Sequence, residues 1–134
     1  MKWKPEAAVK RGAALLDKAA PDWWKPRRKN SIKLTELDLS NCNLCVLGQL
    51  YANGEVGYFR GLRILRQLAD EGKLRLPKTY LSYVVKRHGL TYDNRLVGDE
   101  FFGFDRKLGD YDWSDLTRAW KDEIRSRRRA ARAK

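Results

Sequence analysis

One histidine and two cysteines in 134 residues leave little material for a metal centre or an acid–base relay. Long apolar runs are also missing: the first twenty residues carry Lys2, Lys4, Lys10 and Arg11 between their apolar positions, and nothing approaches the length of a secretory core or a membrane span. Two cysteines three positions apart are too few and too close to staple a secreted fold. Together these absences lead to the expectation of a soluble, cytoplasmic protein. There is no phosphate-binding Gly-Lys-Ser/Thr loop, no dinucleotide glycine fingerprint and no His-Glu-x-x-His helix, so no enzyme is expected.

What the chain does have is positive charge, and it is unevenly placed. Residues 1–33 hold ten Lys and Arg against three Asp and Glu, residues 34–124 hold thirteen against fourteen, and residues 125–134 hold six against none. The formal net charge of +12 therefore sits at the two ends of a near-neutral body, which is the electrostatic outline of a protein that grips a polyanion. Five Trp, six Tyr and four Phe can still build a core despite 34% charged residues.

The length suits one domain, expected over residues 1–124, followed by a basic Arg/Ala tail at 125–134 that extends the last helix. Pro5 suits a first helical position, and Val9, Ala13, Leu16 and Ala20 recur at helical spacing up to the stop at Pro21. Residues 22–30 read as an irregular connector whose tryptophans fold back onto the core. Ser40 is the expected N-cap of a second helix through Leu44, Leu47 and Tyr51, ended by Asn53-Gly54. A third runs from Tyr58 through Leu62, Leu65 and Leu68 to Gly72, and a fourth carries Leu81, Val84, Val85 and His88 up to Gly89. Residues 73–76 alternate as a very short strand or an extended linker. Residues 90–111 are expected to hold a short helix and a turn around Phe101, Phe102 and Phe104. Asp112 caps the last helix, with Trp113, Leu116, Trp120 and Ile124 on one stripe. The fold class is mostly α, a compact single domain of about five helices. The tail has no apolar residue larger than Ala, so it is expected to reach only into solvent or onto a partner and to add little stability.

Five blocks carry a family likeness: Gly12-Ala13-Ala14-Leu15-Leu16-Asp17, Pro21-Asp22-Trp23, the run from Leu37 to Tyr51 containing Cys42-Asn43-Leu44-Cys45-Val46-Leu47-Gly48-Gln49-Leu50-Tyr51, Gly103-Phe104-Asp105, and Leu116-Thr117-Arg118-Ala119-Trp120 with Ile124. In this order the chain resembles a set of small hypothetical proteins of actinobacterial bacteriophages and their prophages. The resemblance covers about half of the chain. It implies a phage-encoded accessory protein acting in the infected cell, and it implies no activity. Residues 66–98 look like an insertion in that pattern, and the Arg tail also departs from it.

Cys42 and Cys45 are the first candidates for chemistry. Behind a Ser40 cap they would lie in the first turns of a helix, where free N–H groups and the helix dipole favour a thiolate. A redox site would also want a βαβ setting, which is missing. Zinc is the other possibility, with His88 and a carboxylate, or a second chain, completing the ligands. The plainer reading is two small buried hydrophobes at a helix start. His88 is more simply a helix-end residue than a general base. Asp105, Asp110, Asp112 and Asp115 could hold Mg²⁺, yet Asp112 and Asp115 already have the spacing of a cap and a first-turn acid.

The basic ends carry the favoured reading. Arg125, Arg127, Arg128, Arg129, Arg132 and Lys134 form one set of phosphate contacts, and Lys25, Arg27, Arg28, Lys29 and Lys33 form another, with Trp23 and Trp24 as stacking surfaces for single-stranded bases. The expected partner is host nucleic acid or a nucleoprotein complex, held without catalysis and without a cofactor. The alternative is an inhibitor or hijacker of one host or antiphage-defence protein, docking through Tyr80, Tyr83, Lys86 and Arg87. A helix-turn-helix over 58–71 and 78–88 fits less well, because the connector 72–77 is longer than that motif's turn.

Overall fold

The computed structural model describes residues 4–52, 57, 58, 60, 61, 63, 64, 103, 104 and 112–133. Among them three helices are α1 (Pro5–Ala19), α2 (Val46–Leu50) and α3 (Trp113–Arg132), and residues 57, 58, 60, 61, 63 and 64 are helical as well. The described part is helical, in line with the mostly α expectation. Residues 65–102 and 105–111, with the fourth helix, the 73–76 element and most of the aromatic segment expected there, lie outside the described residues, as do Asn53 and Gly54.

α1 starts on Pro5, whose missing N–H costs nothing in a first turn, and Glu6 sits beside the positive end of the helix. Pro5, Ala8, Val9, Gly12, Ala13, Leu15 and Leu16 are buried, so its inner face is largely small side chains that let another backbone come close. The neighbour is α3. Lys10 pairs with Glu123 at 3.4 Å and Asp17 with Arg127 at 2.6 Å, so the two helices run in the same direction. Asp112 caps α3 as expected, accepting the Asp115 N–H at 3.0 Å and the Ser114 hydroxyl at 2.7 Å. Those two donors, the hydroxyl first, hold the Asp112 carboxyl below its ordinary pKa.

Trp120 is the centre of the core. Phe104 stacks on it with ring centroids 5.4 Å apart, Trp23 meets it edge-on at 5.8 Å, and its indole N–H donates to the Gly103 carbonyl at 2.6 Å. Gly103 has φ +75, and a Cβ there would press on the α1 backbone at Ala8 and Val9, so the turn needs glycine twice over. Leu16, Leu116 and Ile124 complete this layer, all fully buried.

The second helix departs from expectation. It begins at Val46, with Cys45 as N-cap, and not after Ser40. The reason lies in local competition for backbone donors: Asp38 accepts the Ser40 N–H and hydroxyl at 3.0 and 2.6 Å, and Asn41 accepts the Asn43 N–H at 2.8 Å. These side-chain turns satisfy the groups a helix would have used. The same turns place Leu37 and Leu39 in the core, and the Leu39 N–H donates to the Thr117 hydroxyl of α3 at 3.0 Å.

The tail is also corrected. Helix α3 continues to Arg132, and two of its arginines bind the body of the same chain. Arg127 donates to Asp17 at 2.6 Å and to Glu123 at 2.8 Å, and lies 5.3 Å over the Trp23 ring. Arg128 donates to the carbonyls of Trp24 at 2.8 Å and Ile32 at 2.7 Å. A long guanidinium stem can pack while its fork bonds, which an inventory of apolar side chains does not count. Deleting residues 125–134 is therefore expected to cost about 2–4 kcal/mol and lower the Tm by about 5–10 °C, with Arg127→Ala supplying a large share of the loss. Thermal unfolding followed by circular dichroism checks this; an unchanged Tm would return the tail to solvent.

Candidate nucleic-acid interface

A helix advances about 100° per residue, so Arg127 and Arg128 leave α3 in different directions. Arg127 turns toward α1 and is neutralised by two carboxylates. Arg128 shares its stripe with Arg125, Arg129 and Arg132, spaced as helix neighbours, and binds only carbonyl oxygens. Among the described residues no carboxylate pairs with it. Burial, and then the nearby Arg132, lower its pKa.

Through Arg128 the last turns of α3 rest on the connector at residues 24–32, so basic segments about a hundred positions apart in the sequence meet in space. On the connector Lys25, Arg27, Lys29 and Lys33 are exposed, and on α3 so are Arg125, Arg129 and Arg132. Lys25 is 3.3 Å from Asp22, and Arg125 is 3.8 Å from Asp122, both on the surface where such pairs hold weakly. The connector is kept in shape by three features. Asn30, at φ 59, donates its amide to the Ala52 carbonyl at 2.9 Å; the Lys33 N–H donates to Gln49 at 2.7 Å; and the Gln49 amide donates to the Leu44 carbonyl at 2.9 Å.

Of the two tryptophans expected as stacking surfaces, Trp23 is closed off and Trp24 is partly exposed. Trp23 is completely buried, its indole N–H donating to Asp17 at 2.9 Å. Trp24 is half-buried, with the Lys25 ammonium 5.8 Å above its ring. Arg28 is half-buried, and its Nη1 and the Tyr51 hydroxyl are buried with no hydrogen-bond partner among the described residues. Burial raises the pKa of the Tyr51 phenol. Lys134, Tyr80, Tyr83, Lys86, Arg87, His88, Asp105 and Asp110 lie outside the described residues.

Sequence reasoning missed Asp17 as an anchor and Arg127 and Arg128 as the bolts between the ends of the chain. No local pattern could have found them, because the Arg127 to Asp17 contact spans 110 positions.

The cysteines behave differently from each other. Cys42 is exposed and Cys45 is buried. The Cys45 sulfur accepts the Gly48 N–H at 3.2 Å and lies 3.6 Å from the Cys42 carbonyl. A Cβ at Gly48 would run into that carbonyl, which fixes glycine three residues into the cap. Of the expected pair of buried thiols only Cys45 is buried, and the thiolate alternative does not suit it: burial outweighs the Gly48 N–H and pushes its thiol up to about 11. Among the described residues no group of three or more His, Cys, Asp or Glu could hold a metal ion. Asp112 and Asp115 serve as cap and first-turn acid. No helix among the described residues is long and apolar enough to cross a membrane.

Cys42 is expected to react with iodoacetamide in the native protein at pH 8 while Cys45 reacts only after unfolding, which peptide mass spectrometry reads directly. A folded pKa above the unfolded one contributes stability that is complete below the unfolded pKa and fades as pH rises through the folded value. Cys45 therefore removes stability between about 9 and about 11, and the Cys45→Ser variant should lack that component in a pH series of denaturation curves. Tyr51→Phe deletes a buried hydroxyl that bonds to nothing, so its Tm is expected to match or exceed the parent's. Comparison with protein-family models, with curated proteins and with solved structures finds no match to the chain.

Proposed function

We propose that this protein is a non-catalytic nucleic-acid-binding protein that holds host nucleic acid, bare or within a nucleoprotein complex, on the surface formed by α3 and the connector. The observation that carries the reading is the Arg128 hydrogen bonds to the Trp24 and Ile32 carbonyls, which unite two basic segments without supplying a counter-charge. A helix stripe of arginines beside an ordered basic loop is suited to phosphate oxygens, because guanidinium forks pair with them and release the counterions condensed there. The mechanism is occupancy: the protein covers phosphate and blocks or recruits what else binds there. The likeness to small actinophage proteins agrees with an accessory role of this kind in an infected cell.

Arg127 drops out of the expected contact set, because its fork is spent on Asp17 and Glu123. Trp23 drops out with it. The remaining exposed cations are Lys25, Arg27, Lys29, Lys33, Arg125, Arg129 and Arg132.

The test is the salt dependence of oligonucleotide binding by fluorescence anisotropy. Arg129→Gln with Arg132→Gln, and separately Arg27→Gln with Lys29→Gln, should each weaken binding and flatten the slope of log K against log salt by about 1–2, with Tm unchanged. A slope indifferent to both pairs would sink the proposal. Capture of a protein that stays bound after nuclease treatment would point to a protein target instead.

A further inference from the structure

The nucleic-acid reading leaves open which form of the polymer fits, and the geometry of the same face separates the forms. Proteins that hold single strands add aromatic platforms to a basic groove, each stacked base contributing about 1–3 kcal/mol. Among the described residues of this face, neither tryptophan offers an open platform. The Trp23 ring is closed off between the edge of Trp120, with centroids 5.8 Å apart, and the Arg127 guanidinium at 5.3 Å, and it exposes none of its surface. Trp24 is half-buried, with a lysine ammonium over its ring.

What remains is a set of exposed cations carried on an ordered backbone. Arg125, Arg129 and Arg132 lie along about 10 Å of one continuous helix, and Arg27, Lys29 and Lys33 stand on a connector pinned by Arg128, Asn30 and Gln49. A single strand meeting this face would have to be ordered along that backbone with no fully exposed aromatic among the described residues to stack on. A double helix arrives already ordered, with one phosphate charge per roughly 1.7 Å of axis, and each neutralised phosphate releases more counterion than on a single strand. We infer that the partner of this face is double-helical nucleic acid, gripped along its phosphates by Arg27, Lys29, Lys33, Arg129 and Arg132 without base stacking. The inference rests on the nucleic-acid reading above.

The experiment uses the intact protein and four probes of one sequence, a DNA duplex of about 20 base pairs, the RNA duplex, and the single strands of each, titrated by fluorescence anisotropy at about 0.1 M salt. The duplexes are expected to bind at least about tenfold more tightly than their strands, with a salt slope near −4.5 for about five phosphates against about −3.5 for a single strand. The comparison of DNA with RNA duplex identifies the source of the phosphates. A duplex advantage below tenfold overturns this inference and leaves the nucleic-acid reading standing. Absence of binding to all four probes, repeated at about 0.05 M salt, overturns both.

Discussion

Two adjacent arginines decide how the ends of this chain meet. Arg127 faces α1, where Asp17 pairs with it and Trp23 lies beneath it, and Glu123 one turn back on α3 completes its neutralisation; Arg128 faces the connector, where among the described residues it meets the Trp24 and Ile32 carbonyls. The first is an ion-paired bolt. The second is a bolt that keeps its charge. Remove Arg127 and Asp17 loses its partner beside a buried indole; remove Arg128 and the carbonyls of Trp24 and Ile32 lose a charged donor. This docking reinforces the parallel pairing of α1 and α3 over the buried aromatic centre at Trp120, and it holds the connector against the last turns of α3.

The same docking concentrates positive charge. Four arginines on one helical stripe repel one another, and a helix C-terminus answers this only in part, through the favourable dipole beside Arg129 and Arg132. Asp122 lies at the near end of the stripe and no acid follows Arg125 in the sequence. Surface charges arranged so are weak contributors to stability and strong contributors to association with anions. Cys45 belongs to the opposite category. Cys45 is a cap and a core residue with its thiol protonated, so the block around it is scaffold that fixes the Gln49 anchor of the connector.

Helical elements with local signals were legible in the sequence. Pro5, the spacing of Val9, Ala13 and Leu16, and the Asp112 cap with its stripe through Leu116, Trp120 and Ile124 are all cues within a few residues, and α1 and α3 follow them. The start of α2 was not legible, because Asp38, Ser40, Asn41 and Cys45 all have capping side chains and only the packing of Leu37 and Leu39 selects the turns over a longer helix. The candidate surface was half legible. Charge counting finds the two basic ends, since it needs no geometry. It cannot tell an arginine in solvent from one bonded across 110 positions, nor an exposed indole from one shielded by another.

On the proposed reading, binding and folding would be linked at this surface. An anion that settles on Arg129 and Arg132 reduces the repulsion felt by Arg128, whose hydrogen bonds fasten the connector. A ligand that favours the docked arrangement stabilises the folded state by mass action, and by the same linkage the docked arrangement raises the affinity for the ligand. On the proposed reading, a phosphate backbone at this face would relieve the repulsion among its arginines, and the last turns of α3 would be held more firmly with that partner in place.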